Sequence, residues 1–70
     1  MSQAGRKILA DKIAKYRLEA GLTREQLSLL LGKDNSYISK LEKLRVNISI
    51  DMLEEISKLL KRNIYDFIKE

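Results

Sequence analysis

The 70-residue sequence predicts an all-α fold, a compact bundle of five short helices, on three observations. Apolar residues recur three and four positions apart from Leu9 to Ile68, the spacing that lines one face of a helix. No stretch alternates apolar and polar residues with the period of two that a half-buried strand requires. N-capping residues and three glycines, Gly5, Gly21 and Gly32, interrupt the pattern at short intervals in a chain without proline.

The first helix is read from Lys7 to Ala20, where Leu9, Ile13, Tyr16 and Ala20 share a face and Gly21 supplies a left-handed stop. Residues 1–6 (MSQAGR) are small and polar and read as a flexible N-terminal arm, which leaves residues 7–70 as a single domain. Thr23 opens the second helix with Gln26 three residues later, a capping box in which each side chain satisfies a backbone donor of the other. Leu27 and Leu31 face its core side, and Gly32 ends it. Asp34 then starts a third helix whose buried edge is Ile38 and Leu41.

Ser49 caps the fourth helix, which turns Ile50, Leu53, Ile56 and Leu60 inward. Its first turns hold Asp51, Glu54 and Glu55, where the helix dipole favours negative charge. Asn63 caps a last short helix bearing Ile64, Phe67 and Ile68, with Lys69 near its negative end. Connections of one to six residues lie within the usual range between packed helices.

Composition removes whole classes of function. The chain has no cysteine and no histidine, so the commonest general base, the commonest metal ligand and the most reactive nucleophile are all missing. A non-enzymatic protein with no cofactor and no metal is expected. The longest wholly apolar run, Leu29 to Leu31, is far short of the ~20 residues that span a bilayer, and a cytoplasmic location is expected. A net charge of +4 and a pI of about 9.5 point to an anionic partner.

The second and third helices, joined by a short turn at Gly32 with the small Ser28 where they cross, suit a helix-turn-helix. That motif presents its second helix to the major groove of double-stranded DNA. Over residues 8–68 the sequence resembles the Cro-like, phage-repressor type of helix-turn-helix regulators, the XRE-like family. The landmarks are Arg17 four residues before Gly21, "LTREQLS", "LLG", "SYISKLE", Asn47 and Ser49 in "NIS", and "LEEISKLL" followed by a short apolar helix.

The resemblance implies the phage-repressor DNA-binding fold and a set of roles. Asn35, Ser36, Ser39 and Lys40 fall on positions that touch base edges; Asn can pair bidentately with adenine, Lys can donate to guanine, and Ser serves several bases. Arg24 falls on a phosphate-contact position, and Lys43 and Arg45 follow the third helix on the side of the sugar-phosphate backbone. Tyr37 either reaches a phosphate through its hydroxyl or packs its ring against the turn. Arg17 and Glu42 match an ion pair between the first helix and the end of the third. Lys33, Leu44, Ile48, Lys61 and Arg62 depart from the family pattern, and a left-handed Leu44 is costly enough for the third helix to run on instead.

The function expected on this basis is sequence-specific binding of a palindromic operator by a transcriptional regulator. A homodimer is expected through Ile64, Phe67 and Ile68, which carry more apolar surface than so short a terminal helix can bury in its own domain. The alternative is an antitoxin or other protein-interaction module with secondary DNA binding, for which the outward Leu29 and Leu30 supply a partner surface. Met1 and the end after the fifth helix fit a complete small protein better than the DNA-binding domain of a longer repressor.

Overall fold

One face of the first helix, Leu9, Ile13 and Tyr16, meets Leu27, Ile38, Leu53, Ile56 and Phe67 in a single core in the computed structural model, which describes residues 3–69. The elements are α1 (Gln3–Glu19), α2 (Arg24–Leu30), α3 (Tyr37–Glu42), α4 (Ile50–Leu59) and α5 (Tyr65–Ile68), with no strand among the described residues. α1 packs against both α3 and α5, and α2 against α3.

The helix starts follow their capping chemistry. Thr23 Oγ1 accepts from Gln26 N–H at 3.0 Å and Gln26 Oε1 accepts from Thr23 N–H at 2.8 Å, completing the capping box. Ser49 Oγ accepts from Met52 N–H, and Asn63 Oδ1 accepts from Tyr65 N–H while Asp66 returns a bond from Asn63 N–H.

α1 begins at Gln3 rather than Lys7, which corrects the arm expected over residues 1–6; residues 1 and 2 of that arm, and Glu70 of the expected domain, lie outside the described residues. Nothing between Gln3 and Lys7 stops a helix, since one glycine costs only about 1 kcal/mol there. The early turn is also anchored: Arg6 donates to Leu44 O at 3.1 Å and Val46 O at 3.4 Å.

α1 to α4 all end in the same way. In each, a residue with positive φ closes the last turn: Gly21 (74°), Gly32 (72°), Leu44 (61°) and Lys61 (56°). The residue after it bonds back to the carbonyl five positions earlier, Leu22 to Arg17, Lys33 to Ser28, Arg45 to Lys40 and Arg62 to Ser57, which is the Schellman stop. Leu44 therefore takes the left-handed conformation despite its cost, and α3 does not run on. The two closing hydrogen bonds, Leu44 N–H to Leu41 O and Arg45 N–H to Lys40 O, offset the strain.

Two apolar side chains also differ from expectation. Ile50, read as part of the α4 stripe, is the first helical residue and turns to solvent, whereas Leu53, Ile56 and Leu60 are buried. Phe67, assigned to a dimer face, is fully buried in its own domain, where its ring meets the Tyr16 ring edge-on at 5.2 Å. Ile64 packs partly against the same core, which leaves Ile68 as the exposed member of that trio. α5 is short, but it packs Phe67 against α1, and this is how so small a helix buries that ring.

Candidate nucleic-acid interface

Ser28 sets the corner between α2 and α3. It is buried, its hydroxyl donates to Arg24 O at 2.8 Å, and the same oxygen accepts from Ile38 N–H at 3.0 Å. One side chain thus satisfies a helix-start N–H of α3 from inside α2. A larger residue would hold the helices apart, and an alanine would leave the Ile38 N–H without its partner.

The turn into α3 is organised by Asp34. Its carboxylate accepts both the Ser36 N–H and the Ser36 hydroxyl, and the Tyr37 N–H bonds to Asp34 O. The Ser36 hydroxyl beside Asp34, followed by the backbone N–H, holds that carboxyl below its ordinary 3.8. As a result the helix proper starts at Tyr37, and Asn35 and Ser36 sit in the turn before it rather than within α3. The Ser36 proton is committed to Asp34, so toward a base that oxygen can act only as an acceptor.

Asn35 and Lys40 are exposed and make no side-chain hydrogen bond among the described residues, and Ser36 and Ser39 are half-buried beside them. These four carry amide, hydroxyl and ammonium groups on the outer side of the turn and α3, with Ile38 and Leu41 buried on the inner side. Tyr37 is half-buried, packs against the core, and lies under the Lys33 ammonium at 5.5 Å from the ring centre. Burial holds its phenol above 10.0, so it stays protonated at neutral pH. The ring contact also gives Lys33, unusual at a turn position that is more often apolar, a local role.

Cations gather near the end of α3. Arg24 is at the start of α2, and Lys43 and Arg45 are exposed on either side of Leu44 where α3 closes. Arg17 is 5% exposed and donates to Glu42 Oε2 at 2.9 Å and to Leu22 O at 2.8 Å. The pair therefore ties α1 to the last residue of α3 in a nearly dry setting. Arg24 reaches the other oxygen of the same carboxylate, Nε to Oε1 at 2.8 Å. That second bond was not foreseen, although Glu42 is the only acidic residue between Asp34 and Asp51. Arg6 was also missed; the buried Leu9 and Ala10, three and four residues on and so on the same helix face, were the available signal.

Residues 13–67 match the helix-turn-helix family model HTH_3. The chain belongs to this helix-turn-helix family. Over 64 residues it is 31% identical to the HTH-type transcriptional regulator SinR of Bacillus licheniformis and, equally, to that of Bacillus subtilis, matches that cover 90% of this chain and 58% of each relative. An uncharacterized HTH-type transcriptional regulator of Sinorhizobium fredii, y4dJ, is 34% identical over 55 residues, covering 79% of this chain and 71% of that one. The chain therefore spans little more than half the length of the SinR relatives. Among solved structures, the hypothetical transcription factor NHTF from Neisseria superposes with a TM-score of 0.87 at 28% identity, over 93% of this chain and 75% of the other.

Leu29 and Leu30, each 57% exposed, lie on α2 away from the core. Among the described residues no helix is long and apolar enough to cross a membrane, and no acidic cluster is arranged to hold a metal ion.

Proposed function

We propose that this helix-turn-helix chain is a non-enzymatic transcriptional regulator that binds double-stranded DNA, placing α3 in the major groove. The observation that carries the reading is the outer face made by Asn35, Ser36, Ser39 and Lys40, small or extended polar side chains, with Arg24, Lys43 and Arg45 near the end of α3. Small side chains let the helix approach the base edges, and Asn35 and Lys40 keep their donors available for adenine and guanine. Arg24, Lys43 and Arg45 supply phosphate contacts that fix register without reading sequence, and the Tyr37 hydroxyl, protonated at neutral pH, can donate to another phosphate. Such a protein acts in the cytoplasm, on the cell's own or an invading genome.

The operator in this reading is palindromic and the protein binds it as a homodimer, its two α3 helices about 34 Å apart, one turn of DNA. With Phe67 in the core, the dimer surface on α5 rests on Ile68 and Tyr65, one helical turn apart and 50% and 64% exposed. The exposed Leu29 and Leu30 favour a second reading, an antitoxin or similar module in which a protein partner covers α2.

Selection of bound sequences from random duplex DNA at about 0.15 M salt tests the proposal. The expected result is an enriched palindrome with half-sites about 10 base pairs apart. Absence of any enrichment would overturn it.

A further inference from the structure

We propose that Glu42 is a positioning residue that holds Arg24 as a preformed clamp for one backbone phosphate; the inference rests on the DNA-binding reading above. The Glu42 side chain is only 8% exposed, and its two oxygens are divided between two arginines. Oε2 takes the Arg17 Nε at 2.9 Å, and Arg17 is itself fixed by its bond to Leu22 O. The carboxylate therefore cannot swing, and its second oxygen faces the start of α2 in a set direction. There it takes the Arg24 Nε at 2.8 Å.

The edge of the guanidinium that Glu42 uses decides what remains. Pairing through Nε leaves both terminal nitrogens of Arg24 without a hydrogen bond among the described residues, on a side chain 57% exposed. Those two nitrogens form the end of the planar fork that fits two oxygens of a phosphate. Arg24 can thus keep Glu42 on one edge and accept a phosphate on another. The rotamer freedom that an unattached arginine loses on binding has here been given up in part on folding. The three charges sum to one positive charge, so the assembly still attracts an anion. Lysine has no second edge, and its compact ammonium cannot hold Glu42 and a phosphate in this geometry.

Electrostatics alone predicts the opposite sign. A carboxylate beside a polyanion repels it, so removing the charge of Glu42 should tighten DNA binding if the residue only contributes to the field. The clamp requires that removal to weaken binding. A purely structural role, in which Glu42 matters only through Arg17 and the placement of α3, predicts that the weakening persists whatever stands at position 24.

Fluorescence anisotropy of the full chain separates these, using a selected cognate duplex and a scrambled duplex of equal length over a sodium chloride series, with a thermal melt of each variant. Glu42→Gln should weaken both duplexes by about five-fold, as expected for a lost charge-assisted bond. Arg24→Gln should lower the slope of log K against log salt by about 0.9. Glu42→Gln should add no weakening in the Arg24→Gln background. Arg24→Lys, at an exposed position that does not threaten folding, should lose about five-fold while keeping the wild-type salt slope. Glu42→Gln binding as well as or better than wild type overturns the clamp, as does an equal loss in both backgrounds. If Glu42→Gln does not fold, Arg24→Lys decides alone, and binding equal to wild type overturns it. Wild-type protein that binds neither duplex removes the DNA-binding reading, and the clamp with it.

Discussion

Replacing Lys61 with glycine should stabilise the domain. Lys61 closes α4 with φ 56°, in the left-handed region where a Cβ crowds the following carbonyl, and two backbone bonds hold it there, Lys61 N–H to Lys58 O and Arg62 N–H to Ser57 O. Glycine relieves about 1–2 kcal/mol of that crowding. Against this, a more flexible unfolded chain costs about 0.4–1 kcal/mol. Loss of a cation at the negative end of α4 costs about 0.3 kcal/mol more. The central value is a gain of about 0.5 kcal/mol, which for a domain of this size raises the midpoint of thermal unfolding by about 2–4 °C. Lys61→Ala keeps the Cβ and should gain far less, so the difference between the two variants isolates the backbone. Gly32→Ala is the mirror experiment: an added Cβ meets nothing within 4 Å, so its predicted loss of about 0.5–1 kcal/mol is conformational. Leu44→Gly should come out near neutral, because Leu44 is half-buried and the relief is offset by lost packing. Circular dichroism melts at 222 nm measure all four. A midpoint lowered by Lys61→Gly, or raised as much by Lys61→Ala, would refute the reasoning.

Lys40→Ala should cost about 1–3 kcal/mol on a cognate duplex and relax preference at one base pair, whereas Arg24→Ala should weaken cognate and scrambled duplexes alike; binding titrations over a salt series distinguish them. Phe67→Ala should cost about 3–5 kcal/mol of stability through the cavity it leaves beside Tyr16, seen in urea unfolding, while Ile68→Ala should spare stability and weaken self-association in sedimentation. Ser28→Ala should cost about 1–3 kcal/mol, because the Ile38 N–H stays buried without its acceptor, and should accelerate hydrogen exchange of the Ile38 amide more than that of any other amide in α3. The Asp34 carboxyl, depressed in the folded state, contributes stability above pH 3.8 that is lost as pH falls through its lowered folded-state value; carbon NMR should place its midpoint below 3.8, and Ser36→Ala should move it back up.

The helix order and most of the core were legible because apolar spacing and caps agree. Thr23 with Gln26, Ser49 and Asn63 each fix a start through a local hydrogen bond that needs no tertiary context. Phe67 was misplaced because periodicity gives the apolar face of α5 but not what lies opposite it, and Tyr16 is 51 residues away in sequence. Leu44 was ambiguous since propensity and closure chemistry oppose each other there, and only the pair of returning hydrogen bonds decides the outcome. Arg62 looked anomalous until its guanidinium was seen over the Tyr16 ring at 4.4 Å and bonded to Glu19, contacts between chain segments that no local pattern encodes. At the site, the order of residue types in the turn and α3 was readable, but the sharing of Glu42 between two arginines was not, because it depends on where α1, α2 and α3 converge.

The Ser28 bridge has a mechanical consequence. α3 is six residues long, about 9 Å, and follows the Gly32 turn, so a change of about 10° in that turn, were the helix held by nothing else, would carry its far end through roughly 1.6 Å. A displacement of that size exceeds the tolerance of a hydrogen bond to a base edge. A hinge made of a residue with no side chain cannot resist such a swing by itself. Ile38 and Leu41 seat the helix in the core, Ser28 grips its near end by the Ile38 N–H, and Arg17 grips its far end through Glu42, so the aim of α3 does not depend on the pliancy of one glycine.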